Sequence, residues 1–139
     1  MRSLRLLEAG ALALLIMASP ALAQGLACDD PQKPMLEIDL MFGRNIGSEL
    51  GVSEGLWSDF VASEIMPRFP EGLTVLDAPG QWQDKERNTI VKGPSKHVRL
   101  IVPADAEVKE KLDSIVTDYK QRFQQQGVGI VIRPACVSL

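Results

Sequence analysis

The sequence predicts an α+β domain, a two-layer sandwich with four antiparallel strands in one sheet and two helices on one face of it. The first observation is period-two alternation. Leu36, Ile38, Leu40 and Phe42 are spaced like the apolar side of a half-buried strand, and so are Val98, Leu100 and Val102. The second is helical periodicity, with one apolar stripe between Leu56 and Ile65 and another between Val108 and Phe123. The third is element order: strand, helix, strand, strand, helix, strand. That order suits the split βαβ, ferredoxin-like (βαββαβ) sandwich, which sets strands one and three in the middle and strand four beside strand one.

The first strand alternates its apolar set with Glu37, Asp39 and Met41, and a polar loop from Gly43 to Gly51 follows. Ser53 is placed to cap the first helix, with Glu54 favourable in its first turn. Leu56, Trp57, Phe60, Val61 and Ile65 form its buried stripe, and Pro67 ends it. Pro67 to Trp82 organises the middle of the chain. It turns at Pro70-Glu71-Gly72, launches a second strand from Leu73 to Asp77, bends at Pro79-Gly80 and presents Gln81 and Trp82. Asp84 to Arg87 reads as a charged turn, and Thr89-Ile90-Val91 starts the return. A turn centred there sets Trp82 against Thr89 and Gly80 against Val91, with Pro79-Gly80 near Gly93-Pro94. The third strand alternates Val98, Leu100 and Val102 with His97, Arg99 and Ile101. Asp105 then caps a helix striped by Val108, Leu112, Ile115, Val116, Tyr119 and Phe123, with Gly127 as its stop. The fourth strand runs from Val128 to Arg133 and continues past Pro134 as Ala135 to Val137.

Residues 1–23 have the pattern of an export signal. Arg2 and Arg5 give a basic start, Ala9 to Ala18 is apolar, and Ala21-Leu22-Ala23 offers small residues for cleavage after Ala23. A retained anchor and a lipid-modified Cys28 are weaker alternatives, because the apolar run is short and Gly25 stands where a larger aliphatic belongs. Cleavage leaves 116 residues with 13 basic and 17 acidic side chains. Residues 24–34 read as an arm and 35–139 as one domain. The acidic balance excludes the basic footprint of nucleic-acid binding, and no membrane role is expected once the signal is removed. Two cysteines and one histidine are too few for a metal centre, so no metal and no cofactor are expected. No Gly-rich phosphate loop or nucleophile elbow is present.

Several blocks carry a family resemblance: Pro67-Arg68-Phe69-Pro70-x-Gly72-Leu73-Thr74-Val75, Gly80-Gln81-Trp82, Ser95-Lys96, Tyr119-Lys120-x-Arg122-Phe123 and Cys136-Val137-Ser138. On them the chain resembles domain-of-unknown-function family 3574 over nearly all of its mature part. The resemblance implies a small exported bacterial protein and supplies no activity, cofactor or catalytic residue. His97 stands outside the matched positions.

Two surfaces can carry function. Alternation places Glu37, Asp39, His97, Arg99 and Arg133 on the sheet face away from the helices. A carboxylate beside an imidazole is the raw material of acid–base chemistry, and cross-strand charge pairing is the bland alternative. Met35, Met41, Ile101 and Val131 share that face, enough apolar surface for a homodimer contact. The bent hairpin is the second surface, with Arg68, Asp77, Gln81, Trp82, Lys92 and Lys96 as ligand-binding candidates. Its bland reading makes Trp82 a structural cover and Lys92 and Lys96 edge-strand charges. The leading expectation is a non-catalytic exported module, periplasmic or secreted, that binds a small ligand or a protein. The alternative is a small acid–base enzyme using His97 and Asp39. Antiparallel pairing of strands one and four also brings Cys136 near Cys28, which predicts a disulfide.

Overall fold

The structure, a computed structural model, describes residues 27–138, so the expected signal peptide lies outside the described residues. Strand β1 spans Lys33–Gly43, and the short β2 (Asn45–Ile46) and β3 (Glu49–Leu50) pair within the loop that follows it. Helix α1 (Glu54–Phe60) continues through a π-helical turn, Val61–Ile65. Strands β4 (Thr74–Asp77), β5 (Gly80–Asp84), β6 (Thr89–Gly93) and β7 (Ser95–Val102) come next, then helix α2 (Val108–Phe123) and strand β8 (Gly129–Val137). The main sheet is antiparallel throughout and ordered β4-β7-β1-β8, while β5 and β6 form a separate two-stranded ribbon. The α+β expectation of a four-stranded antiparallel sheet and two helices holds.

One face of the sheet makes the core. Ile38 pairs with Leu100 and Leu40 with Val98, and these residues are buried together with Phe42 and Val102. Trp57, Phe60 and Ile65 cover them from α1 and its π turn, and Val108, Leu112, Ile115, Tyr119 and Phe123 from α2. Ring centroids of Phe42 and Tyr119 lie 4.7 Å apart edge to face, and those of Phe60 and Tyr119 5.0 Å apart, a favoured arrangement for aromatic quadrupoles. The Tyr119 hydroxyl donates to the Gly43 carbonyl at 2.7 Å, and burial pushes its pKa up to about 12.

Sequence and structure differ mainly where the chain stops or turns. Phe60 and Ile65 are both buried five residues apart, a spacing that one π turn brings to the same side. The Met66 amide accordingly donates to the Val61 carbonyl at 2.9 Å. Gly127 does not end α2. Gln124 does, with φ of 52° and the Gln125 amide closing on the Lys120 carbonyl. Asp105 acts as predicted, accepting from the Glu107 and Val108 amides at 2.9 and 3.0 Å. β1 begins inside the expected arm, because Lys33 and Pro34 pair with Val137 and Cys136. The hairpin register is also shifted by two: Trp82 faces Val91 and Gly80 faces Gly93. Asp84 accepts from the Glu86 and Arg87 amides, and Asn88 takes the left-handed conformation, so the turn ends one residue later than its charges suggest.

Candidate functional site on the open sheet face

The odd-numbered residues of β1, β7 and β8 point away from the helices, and register decides which of them meet. Asp39 lies opposite Arg99 on β7 and Val131 on β8, while Glu37 lies opposite Arg133. Asp39 is buried under its neighbours. Arg99 donates to it from Nε at 2.9 Å and from Nη2 at 3.3 Å, and Arg133 from Nη2 at 2.9 Å. Arg133 also holds Glu37, from Nε at 2.8 Å and from Nη2 at 3.1 Å. The result is an ordered lattice of two carboxylates and two guanidiniums on a solvent-facing sheet.

The electrostatics follow from these contacts. The Arg99 hydrogen bond, more than any other contact, holds Asp39 below the usual carboxylate range, against the upward push of burial. Arg133 does the same for Glu37, and both guanidiniums are raised in turn, by Asp39 and Glu37 respectively. Asp39 is therefore a fixed anion with both oxygens engaged, which makes it a poor proton acceptor. His97 is half-buried on this face. Its Nε2 lies 3.0 Å from Asp39 Oδ1, close enough for an ion pair, yet it is buried without an aligned hydrogen-bond partner. The fold thus brings together the predicted acid–base pair, with the Asp39 carboxylate shared between His97 and the two arginines.

Leu76, Met41 and Val131 are exposed around the lattice. Two surface hollows lie on the helical side. One of about 370 Å³ is lined by Arg68, Glu107, Glu110, Lys111 and Ser114, and one of about 390 Å³ by Glu64, Asp118, Gln121 and Arg122. Both are open and charged.

The hairpin set does not assemble. Arg68 sits on the helical side, donating to the Glu64 carbonyl at 2.7 Å, to the Glu64 and Asp118 carboxylates at 2.8 and 3.0 Å, and to Ser114 at 2.9 Å. Lys96 is neither a surface grip nor an edge charge. It is buried on the core face of the interior strand β7, its Nζ donating to Glu54 at 2.9 Å and Asp77 at 2.6 Å, with the Asp77 bond contributing most to a raised pKa. The buried Arg44 joins from the end of β1, 2.6 Å from Glu54 and 2.9 Å from the Val52 carbonyl. Neither Arg44 nor Glu54 was a sequence candidate for this cluster. Gln81 and Lys92 pair on one side of the ribbon while Trp82 and Val91 pair on the other, so the amide and the indole diverge. Trp82 is 54% exposed, which overturns its reading as a structural cover.

Cys28 and Cys136 form the predicted disulfide, with Cα atoms 5.5 Å apart, and tie the segment before β1 to the end of β8. Among the described residues, no three His, Cys, Asp or Glu side chains gather as metal ligands. No described helix is long and apolar enough to cross a membrane.

Among solved structures, the chain is similar to a phage SAM lyase in complex with S-methyl-5'-thioadenosine. That match has a TM-score of 0.59 and 14% identity, over 76% of this chain and 90% of the lyase chain. The apo form of the lyase matches at TM-score 0.56 and 13% identity over the same shares. A PII-like signalling protein from Thermus thermophilus reaches 0.44 at 14% identity, over 76% of this chain and 91% of its own. At these identities the likeness to the lyase is one of fold. No curated protein sequence matches the chain. A family model described as protein of unknown function (DUF3574) matches residues 37–139, carrying the region that includes the sheet lattice, both helices and Cys136, and the chain belongs to that family.

Proposed function

We propose that the protein is an exported, non-catalytic module, periplasmic or secreted, that docks a protein partner on its open sheet face. The observation that carries this reading is the lattice itself. Asp39 and Glu37 hold Arg99 and Arg133 half exposed on a solvent-facing sheet, and Leu76, Met41 and Val131 stand exposed around them. Arginine and methionine are favoured in protein interfaces, where lysine is depleted, and guanidiniums fixed in advance lose little freedom on binding. The free N–H edges of the two guanidiniums fit a partner surface that presents carboxylates around an apolar centre. Small ligands favour concave sites, and two such hollows lie on the helical side, away from the lattice. Export is supported by the basic-apolar-small pattern of residues 1–23 and by the disulfide. The strand order supports a ferredoxin-like assignment for the sandwich.

The test is photo-cross-linking in cells that express the full chain. A photo-activatable side chain at Met41, on the open face, should yield a discrete adduct, with a second copy or with another protein. The same group at Lys109, on α2, should not. Equal yields at the two positions would overturn the reading. The proximity of His97 to Asp39 is the one observation favouring acid–base chemistry. On the binding reading, His97→Ala leaves the Met41 adduct in place.

A further inference from the structure

We infer that the outer edge of β8 is a second interaction surface, separate from the open face, and that its occupant is β8 of a second copy paired antiparallel across a two-fold axis. Among the described residues β8 has one neighbour, β1, so the outward N–H and C=O groups along it have no partner strand there. Proteins blunt such edges with short strands, prolines, lysines or a covering element. The opposite edge is protected in this way: β4 has four residues and runs into Pro79 two positions later. Among the described residues, β8 has no such protection between Gly129 and Arg133.

Its middle is also apolar on both faces. Ile130, Val131 and Ile132 are 38%, 41% and 49% exposed. Ile130 and Ile132 lie opposite Leu40 and Ile38, which are fully buried, so the helices cover β1 and stop short of β8. The one charge in the stretch, Arg133, is drawn inward by Glu37 and Asp39 and does not guard the edge.

A second copy is the occupant that closes. A two-fold pair satisfies both long edges at once, whereas a head-to-tail contact would need β4 as acceptor, and β4 is too short. Pairing centred on Val131 sets Val131 opposite Val131, Ile130 opposite Ile132 and Gly129 opposite Arg133. No like charges meet, and Pro134 falls outside the paired stretch. The isoleucines of both copies then close the gap that the helices leave. The disulfide and the Arg133 bridges hold β8 in place before it pairs, so little ordering is lost on association. Five rungs bury less than the roughly 800 Å² per partner of a standard interface, which places the contact among concentration-dependent dimers. The two guanidiniums, Met41 and Leu76 stay on the open face of the joined sheet, while Val131 is shared between the two surfaces.

Sedimentation velocity on the oxidised protein, purified after expression of the full chain, tests this over roughly 1–200 µM, the range where micromolar association is visible. The expected result is a monomer–dimer equilibrium in the wild type. Ile132→Lys should be monomeric throughout with unchanged circular dichroism, while Leu76→Lys on the open face should dimerise like the wild type. Val131→Cys gives an independent reading, since residues that meet on the axis should cross-link into a covalent dimer under mild oxidation and Thr74→Cys should not. A wild type that stays monomeric, a trimer, or a dimer that Ile132→Lys leaves intact would overturn the inference.

Discussion

Asp39 concentrates the chemistry of the open face in one carboxylate. It is buried, and it accepts charged hydrogen bonds from two arginines that keep contact with solvent. Replacing it with asparagine keeps the shape and removes the charge that aligns both guanidiniums. Hydrogen bonds to charged groups contribute about 1.5–3 kcal/mol each, and arginines released to water recover part of that. We predict that Asp39→Asn lowers unfolding free energy by about 1–3 kcal/mol in urea titrations. Trp82→Ala should act oppositely to a core truncation. With the indole more than half exposed on a two-stranded ribbon, we expect a change within about 0.5 kcal/mol, and a loss of several kcal/mol would reinstate Trp82 as a structural cover. That Asp39 or Glu37 would meet His97 or Arg99 was legible in the sequence, because side chains alternate along a strand and strands one and three were expected to be neighbours; the register alone selects Asp39 with Arg99. Lys96 was misplaced on the hairpin surface although the signal was there, since it shares the parity of Val98, Leu100 and Val102 and the same rule turns it inward. Its bond to Glu54 was not legible: Glu54 comes from a helix, and Arg44, which shares Glu54 with Lys96, comes from a strand end, so only the tertiary fold brings the three together.

Element boundaries followed local chemistry where one residue commanded it. Ser53 caps α1 by accepting from the Leu56 amide at 3.2 Å, and Asp105 organises the start of α2. They escaped reading where geometry was shared between neighbours, as at the π turn and in the Asp84–Asn88 turn. The longest constraint between elements is the disulfide, which spans a sequence separation of 108. Chain-entropy reasoning assigns a loop of about that length roughly 4.7 kcal/mol, acting mainly on the unfolded state. We predict that Cys28→Ser with Cys136→Ser, or reduction of the wild type, lowers the thermal midpoint markedly and leaves the far-ultraviolet spectrum unchanged. An unchanged midpoint would show that the arm and β8 are held by other contacts. β8 depends on this link more than the inner strands do, because Ile130, Val131 and Ile132 are left exposed by the described helices.

For the molecule as a whole, the ion-pair lattices set the response to acid. Asp39, Glu37, Glu54 and Asp77 are all lowered, by Arg99, Arg133, Lys96 and Lys96 respectively as the largest cause. A carboxylate depressed in the folded state contributes stability that is present above its unfolded value. That contribution is lost as pH falls through the folded value. Stability should therefore hold near neutrality and decline as pH drops below about 4, where unfolded carboxylates take up protons first. Asp39→Asn should flatten that decline, and equal slopes for wild type and mutant would contradict the role assigned to the lattice. The working surface itself can be probed in place by methionine oxidation. Met41, on the open face, and Met66, just past the π turn of α1, have similar exposures of 41% and 36%, so each calibrates the other. Mild peroxide treatment of producing cells, compared with the purified dilute protein, should protect Met41 in the cell while Met66 oxidises equally in both. Equal oxidation of Met41 in the two settings would contradict a docking role for the open sheet face.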